Sequence, residues 1–388
     1  DFPKIWIDNL TGSYTGDTFV SDSAYAMTGQ IEYDAVTSID LRNQSLTTNF
    51  NFLDKFINLE TLRLTGNDLT IVNVVNNIKL KEISVQLNPN LQVLDTVNLS
   101  DLEVLNASSN DLKSLDLTNS PLLSSLSCSA NDIQGSLDTS NKTFLIDVYC
   151  HTNNINNLSF SGSDNVENIE CYSNALIDSL VVTNLVNLKR LHLTGTTVTA
   201  LDLINNSKLE YLNTQFLAIP TLNFTNLVLL ENANVSFTQI TALDSTNLSS
   251  LTYLRSDNCQ LDNLVNSQIL IDLDTHNLSN GYFRSSIYGG GFITPLAVDS
   301  ATALQTKSWN LVGIPLSLTS GDTYNVEDFP KIWIDNLLYN TYKDNTFVSN
   351  SAYPMTGQIE YDTVTSIDLR NQSLTTNFNF LDKFINLE

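Results

Sequence analysis

Apolar residues recur along this chain every 21 to 22 positions, with a first interval of 23, and the recurrences follow one internal pattern, LxxLxLxxNxL. The opening apolar site falls at Val36, Leu59, Leu80, Leu102, Leu123, Leu145, Val166, Leu188, Leu209, Leu230 and Leu251, eleven copies in all. The third apolar site of each copy is Leu41, Leu64, Val85, Ala107, Cys128, Cys150, Cys171, Leu193, Thr214, Val235 and Ser256. Repetition of a short apolar alternation at a fixed interval predicts stacked rungs, each giving one short strand to a parallel sheet and sending these residues inward.

The polar positions are as regular. The eighth residue after the anchor is Asn67, Asn88, Asn110, Asn131, Asn153 and Asn174 on six consecutive rungs. Where a chain turns out of a buried strand its backbone groups lack partners, and a stacked amide can donate and accept at once, so these residues predict an asparagine ladder. Thr196, Leu217, Thr238 and Cys259 interrupt it on later rungs. About 13 residues after the anchor comes a second apolar pair, as in Leu115/Leu117, Leu158/Phe160, Leu201/Leu203 and Leu222/Phe224, which predicts a second extended segment per rung. No rung has room for a long helix, although a helical turn is expected around 52–57.

A longer repeat encloses the short one. DFPKIWIDNL opens the chain at Asp1 and returns at Asp328. Met27 to Glu60 recurs at Met355 to Glu388 with a register offset of 328, and the only difference is Ala35 against Thr363. Identity that reaches Arg42, Asn43 and Lys55, whose types packing rarely dictates, points to recent duplication. The expectation is one period of a longer tandem array.

The short motif resembles the bacterial leucine-rich repeats, in particular the 21-residue LTSLxCxxNxLxxLDLSNN type of secreted Bacteroidetes proteins, and LSSLSCSANDI from Leu123 to Ile133 carries the resemblance most fully. It implies a β-rich leucine-rich-repeat solenoid with an α/β C-terminal cap, in which Trp309 covers the last rung. The expected organisation is a small β-rich N-terminal cap over 1–35, the solenoid over 36–264, the C-terminal cap over 265–318, a short linker over 319–327, and the next unit from 328 to 388.

Composition narrows the partners. With 42 acidic against 18 basic side chains and a net charge of −24, the chain disfavours nucleic acid and anionic membrane surfaces. The sequence has no apolar run of about 18 residues of the kind that spans a bilayer. Cys128, Cys150 and Cys171 share one inward site on adjacent rungs, so they read as small buried apolar residues. Neighbouring strands lie about 4.8 Å apart, which leaves a disulfide between two of them open on separation alone. No phosphate loop, nucleophile elbow or HExxH motif is present, and a non-enzymatic role is expected.

The outward strand positions form the expected concave face. Rungs to either side show Ser125, Ser127, Ser129, Asn232, Asn234 and Ser236, whereas four successive rungs gather Asp147, Tyr149 and His151, then Glu170 and Tyr172, then Arg190 and His192, then Tyr211. Ring faces, amides and carboxylates together suit a protein or glycan ligand. His151 and His192 stand two rungs apart, on the order of 9 to 10 Å, too far to share a metal.

No cofactor or metal is assigned. Asp322, Glu327, Asp328, Asp335 and Asp344 cluster near the junction without an EF-hand spacing, which leaves calcium at the unit junctions an unassigned alternative. The apolar Phe329, Ile332, Trp333 and Ile334 need burial, and the preceding cap is the nearest surface, so unit is expected to dock on unit. The resemblance extends to the giant repeat-array adhesins of gliding and predatory marine Bacteroidetes, with type IX secretion as the implied export route. It implies an extracellular, cell-surface filament whose partners are neighbouring units of the chain, identical chains in a bundle, and protein or glycan on a target surface. The alternative is a self-contained binding module that uses its concave face.

Overall fold

The protein is described here by a computed structural model, over residues 18–20, 34, 36–47, 53–286, 293, 295–314, 346–348 and 366–368. It divides into two compact units, 1–227 and 228–388.

In the first unit the repeating motif folds as the alternation requires. Its strands are β1 (Thr18–Val20), β2 (Ser38–Asp40), β3 (Thr61–Arg63), β4 (Ile71–Asn73), β5 (Glu82–Ser84), β6 (Val93–Asp95) and β7 (Val104–Asn106). There follow β8 (Ser125–Ser127), β9 (Gln134–Asp138), β10 (Asp147–Tyr149), β11 (Asn154–Ser159), β12 (Asn168–Glu170), β13 (Arg190–His192) and β14 (Tyr211–Asn213). The main sheet is wholly parallel, in the order β1-β2-β3-β5-β7-β8-β10-β12-β13-β14. Each neighbour is the equivalent segment of the next rung, so side chains at equivalent positions stand in columns.

All eleven anchors and all eleven third sites are buried, as are the strand centres between them, such as Val148, Ile169 and Leu191. Burial of each leucine-sized side chain contributes about 1.5–3 kcal/mol. The second apolar pairs are buried too, Leu115/Leu117 and Leu158/Phe160 among them. Only β4/β6 and β9/β11 become paired strands there among the described residues, each a parallel two-stranded sheet. Elsewhere among the described residues the segment keeps its inward apolar residues without forming a strand ladder. The helical turn is a 3-10 turn, Leu53–Lys55, with Leu53 buried.

The exit from each main-sheet strand has its own signature. Leu87, Ser109, Ala130, Thr152 and Ser173 take positive φ, and each directly precedes a ladder asparagine. This left-handed turn swings the backbone out of the sheet and exposes carbonyls that the next side chain must satisfy. Asn153 shows how: its Nδ2 donates to the carbonyls of Cys128 and Cys150, both at 3.0 Å, while its Oδ1 accepts from Ile133 N at 3.0 Å. Asn67, Asn88, Asn110, Asn131 and Asn174 each likewise donate to a carbonyl of their own rung and one of the rung before. Where asparagine is absent, the Oγ1 of Thr196 donates to Leu193 O at 2.9 Å and keeps the link within the rung.

A second polar column lies three residues before the anchor and was not foreseen. Asn77 and Asn206 each donate to two backbone carbonyls there, and Lys142, only 2 % exposed, reaches Leu117 O with its Nζ at 2.8 Å. Burial holds the Lys142 ammonium below its usual pKa, opposed by Asp138 and Asp116.

The second unit contains β15 (Asn232–Asn234), β16 (Tyr253–Ser256), helix α1 (Asn263–Thr275), β17 (Tyr282–Ser285), helix α2 (Pro295–Thr306) and β18 (Asn310–Val312). Its sheet is again parallel, β15-β16-β17-β18. Asp262 caps α1, accepting from Val265 N at 2.9 Å. Helix α2 belongs to the α/β segment expected as the C-terminal cap, and Trp309 is 4 % exposed, its Nε1 donating to Leu278 O at 2.9 Å. Gly281 is required beneath it, because a Cβ there would come within 2.4 Å of the indole. Two further strands, β19 (Thr346–Val348) and β20 (Ser366–Asp368), pair in parallel with Thr346 opposite Ser366. They repeat, 328 residues on, the pairing of β1 with β2, in which Thr18 faces Ser38.

The docking residues Phe329, Ile332, Trp333 and Ile334, the junction acids Asp322, Glu327, Asp328, Asp335 and Asp344, the linker 319–327 and nearly all of the N-terminal cap lie outside the described residues.

Candidate functional site

Strands β10, β12, β13 and β14 are consecutive in the main sheet of the first unit, so their outward side chains form one patch. Asp147, Tyr149, His151, Glu170, Tyr172, Arg190, His192 and Tyr211 are all half-buried on it. Each strand is pinned beneath by a fully buried centre, Val148, Ile169, Leu191 or Leu212. The patch is therefore carried on rigid backbone and not on loops.

Its rings form one continuous stack. His151 lies on Tyr172 with centroids 4.1 Å apart and planes 7° from parallel, and Tyr172 meets His192 at 4.3 Å and 32°. His192 then meets Tyr211 edge to face at 6.1 Å, and the Arg190 guanidinium carbon sits 3.8 Å from the Tyr211 ring centroid. The two histidines, two rungs apart by sequence, are thus joined through one tyrosine that fills the space between them.

Polar groups set the rest. Arg190 Nε donates to Glu170 Oε1 at 2.7 Å, and Asn168 Nδ2 to Asp147 Oδ1 at 2.7 Å. His192 Nε2 shares a hydrogen bond with Thr194 Oγ1 at 3.1 Å, and Thr194 donates on to Asn213 Oδ1 at 2.9 Å. Asn168, Thr194 and Asn213 thus orient the aromatic and charged groups, a role their sequence positions alone do not reveal. Among the described residues no group of His, Cys, Asp and Glu is placed to hold a metal ion.

Both imidazoles are held below their ordinary pKa, chiefly by burial; Glu170 opposes this, and for His192 the nearby Arg190 and His151 add to it. The native state therefore favours neutral histidine, whereas the unfolded chain takes up protons near about pH 6.5. The stabilisation this implies is complete above that pH and is lost as pH falls through it towards the lower folded values. The melting temperature is expected to drop between pH 7 and pH 5, and to drop less in a His151→Asn/His192→Asn double variant. Parallel pH profiles for the two proteins would remove histidine desolvation as the cause.

Two clefts lie away from these patch residues. One of about 460 Å³ is lined by Phe160, Asp164 and Val181, and another of about 410 Å³ by Val181, Leu201 and Pro220. Both follow the second extended segments, not the sheet face.

No protein-family model and no curated protein matches the chain. Solved structures do. The functional domain of InlJ from Listeria monocytogenes, which includes a cysteine ladder, is 21 % identical, with 94 % of this chain and 69 % of that one covered at a TM-score of 0.55. A leucine-rich-repeat protein from Leptospira interrogans is 18 % identical, with 72 % of each chain covered and a TM-score of 0.59. An internalin, InlF, from Listeria monocytogenes is 15 % identical over 90 % of this chain and 92 % of that one, at a TM-score of 0.55. The likeness shows the fold, a parallel β-solenoid of the leucine-rich-repeat kind.

Proposed function

We propose that this chain is a non-enzymatic, protein-binding leucine-rich-repeat module that works outside the cell and engages its partner through the sheet face of β10, β12, β13 and β14. The observation that carries this reading is the ring stack His151–Tyr172–His192–Tyr211, closed by Arg190. Tyr and Arg on a rigid, partly desolvated support are the residues that dominate protein interfaces. The rungs around the patch offer mainly Ser125, Ser127 and Ser129, which make a polar border.

The test is attachment of beads coated with the full chain to surfaces bearing protein or glycan. Changing Tyr149, Tyr172 and Tyr211 together to alanine should lower attachment by about 100-fold or more, since each central anchor contributes on the order of 2 kcal/mol. Loss of attachment after protease treatment of the target supports a protein partner. Persistence after protease, with loss after periodate, would replace it by a glycan. Unchanged attachment by the triple variant would overturn the site.

A second reading concerns assembly and rests on the recurrence of the β1/β2 pairing in β19/β20 at an interval of 328 residues. We infer that the module is one unit of a tandemly repeated adhesive filament, joined through Phe329, Ile332, Trp333 and Ile334, with no metal assigned to the joint. Identical joints serve length, and each unit then adds one more copy of the same face, so that weak contacts sum by avidity. Electron microscopy of the native product should show an axial repeat of roughly 70 to 90 Å, given rungs about 4.8 Å apart plus caps. Isolated single units would count against the filament and leave the binding module standing.

A further inference from the structure

The second unit carries a cluster that no part of the preceding function uses. In the register of β16 with β17, Tyr253 faces Tyr282 and Arg255 faces Arg284. The same Tyr-x-Arg-Ser tetrad, YLRS then YFRS, thus lies twice side by side. The tyrosine rings stack at 5.0 Å with planes 16° apart. Between the arginines stands one carboxylate: Arg255 donates to Asp257 Oδ1 and Oδ2 at 3.1 and 3.2 Å, and Arg284 Nε approaches Oδ1 at 3.5 Å. The Asp257 side chain is only 5 % exposed, whereas that of Arg284 is 44 % exposed.

The charges do not balance. Two guanidiniums share a single acid, and among the described residues no other carboxylate lies within ion-pair distance of either. The strands on either side offer neutral groups, Asn232 and Asn234 on β15 and Asn310 on β18. A surplus positive charge is thus fixed on the sheet face of a chain whose net charge is −24. Arginine presents its donors in a planar fork that matches a carboxylate, and Asp257 already orients one such fork while leaving most of the other open.

We propose that Arg255 and Arg284, with the edges of Tyr253 and Tyr282, form a binding site for a carboxylate of an acidic peptide segment. The stacked rings face one another, so they offer edges and hydroxyls in place of a flat platform, which favours a peptide carboxylate over a sugar ring. The site belongs to the second unit and the ring stack to the first, and the proposal is independent of the function proposed for that stack.

The test is fluorescence anisotropy of a labelled hexaglutamate peptide with the full chain at low salt, with hexaglutamine as the neutral control and oligogalacturonate as a carboxylated glycan. Hexaglutamate should bind at least tenfold tighter than hexaglutamine and weaken with added salt, by about the margin a charge-assisted pair provides. Arg284→Gln should lower that affinity by about tenfold without moving the melting temperature, and Arg284→Lys should restore part of it. Arg284 is the residue to change first because it is exposed, whereas removing Arg255 strands the buried Asp257. Equal binding of the two peptides, equal binding by Arg284→Gln, or binding of oligogalacturonate alone would each overturn the proposal.

Discussion

Replacing Asn153 by alanine is expected to lower the unfolding free energy by about 2–4 kcal/mol, out of proportion to the three heavy atoms removed. The side chain makes four hydrogen bonds inside the first unit, to Cys128 O, Cys150 O and Ile133 N and, at 3.3 Å, to His151 O. The carbonyls of Cys128 and Cys150 keep a partner after the change, because Asn131 also donates to Cys128 O and Asn174 to Cys150 O. Ile133 N does not, and a buried unsatisfied donor is what makes the loss large. The control is Asn154→Ala, one residue along: that amide is exposed and donates only to the Asp132 carboxylate. Its removal should move stability by no more than about 0.5 kcal/mol. Urea unfolding of the two variants decides the matter, and equal losses would mean that the ladder is ornamental.

The same contrast explains what could be read from sequence and what could not. The rungs were legible because each anchor repeats at one spacing and no inward site can be polar without cost, and for Thr214 and Ser256 the periodicity spoke where the residue type did not. The ladder was legible because Asn is the side chain that can donate and accept together. The second column was not, because Asn77, Ser120, Lys142 and Ser163 share a position but not a residue type. What unites Asn77, Lys142 and Ser163 is a job, satisfying carbonyls such as Leu53 O, Leu117 O and Thr139 O, that several side chains can do, whereas the buried Ser120 hydroxyl has no such partner among the described residues.

The candidate patch shows the same division. Period two placed His151, Tyr172, His192 and Tyr211 on one face, but the stack depends on a diagonal offset: Tyr172 belongs to the turn of its rung and His192 to the strand of the next. No spacing rule encodes that. The Tyr253/Tyr282 pair was hidden for another reason. Helix α1 stretches the interval between the two tetrads to 29 residues, so β17 falls out of the 21 to 22 residue count although its backbone register is regular.

The largest kinetic effect is expected at the cysteines. Cys128, Cys150 and Cys171 occupy one inward column with no solvent exposure, and these three and Cys259 are all free thiols. Burial pushes the thiols of Cys128 and Cys171 up to about 12, and drives Cys150 well above its ordinary value with its two neighbours adding to the effect. At pH 8 a thiol of that pKa is thiolate to only about one part in ten thousand, and the thiolate is the species that reacts. Iodoacetamide should therefore label Cys128 and Cys171 of the native chain about 1,000-fold more slowly than a free cysteine. All four sites should label promptly in urea without any reductant. Prompt labelling of the folded chain would place the column near solvent, and labelling in urea that required reductant would reveal a disulfide between rungs. Slow native labelling joined to complete labelling in urea fits parallel thiols that serve as small apolar side chains, held in one column by the register that also sets the aromatic face.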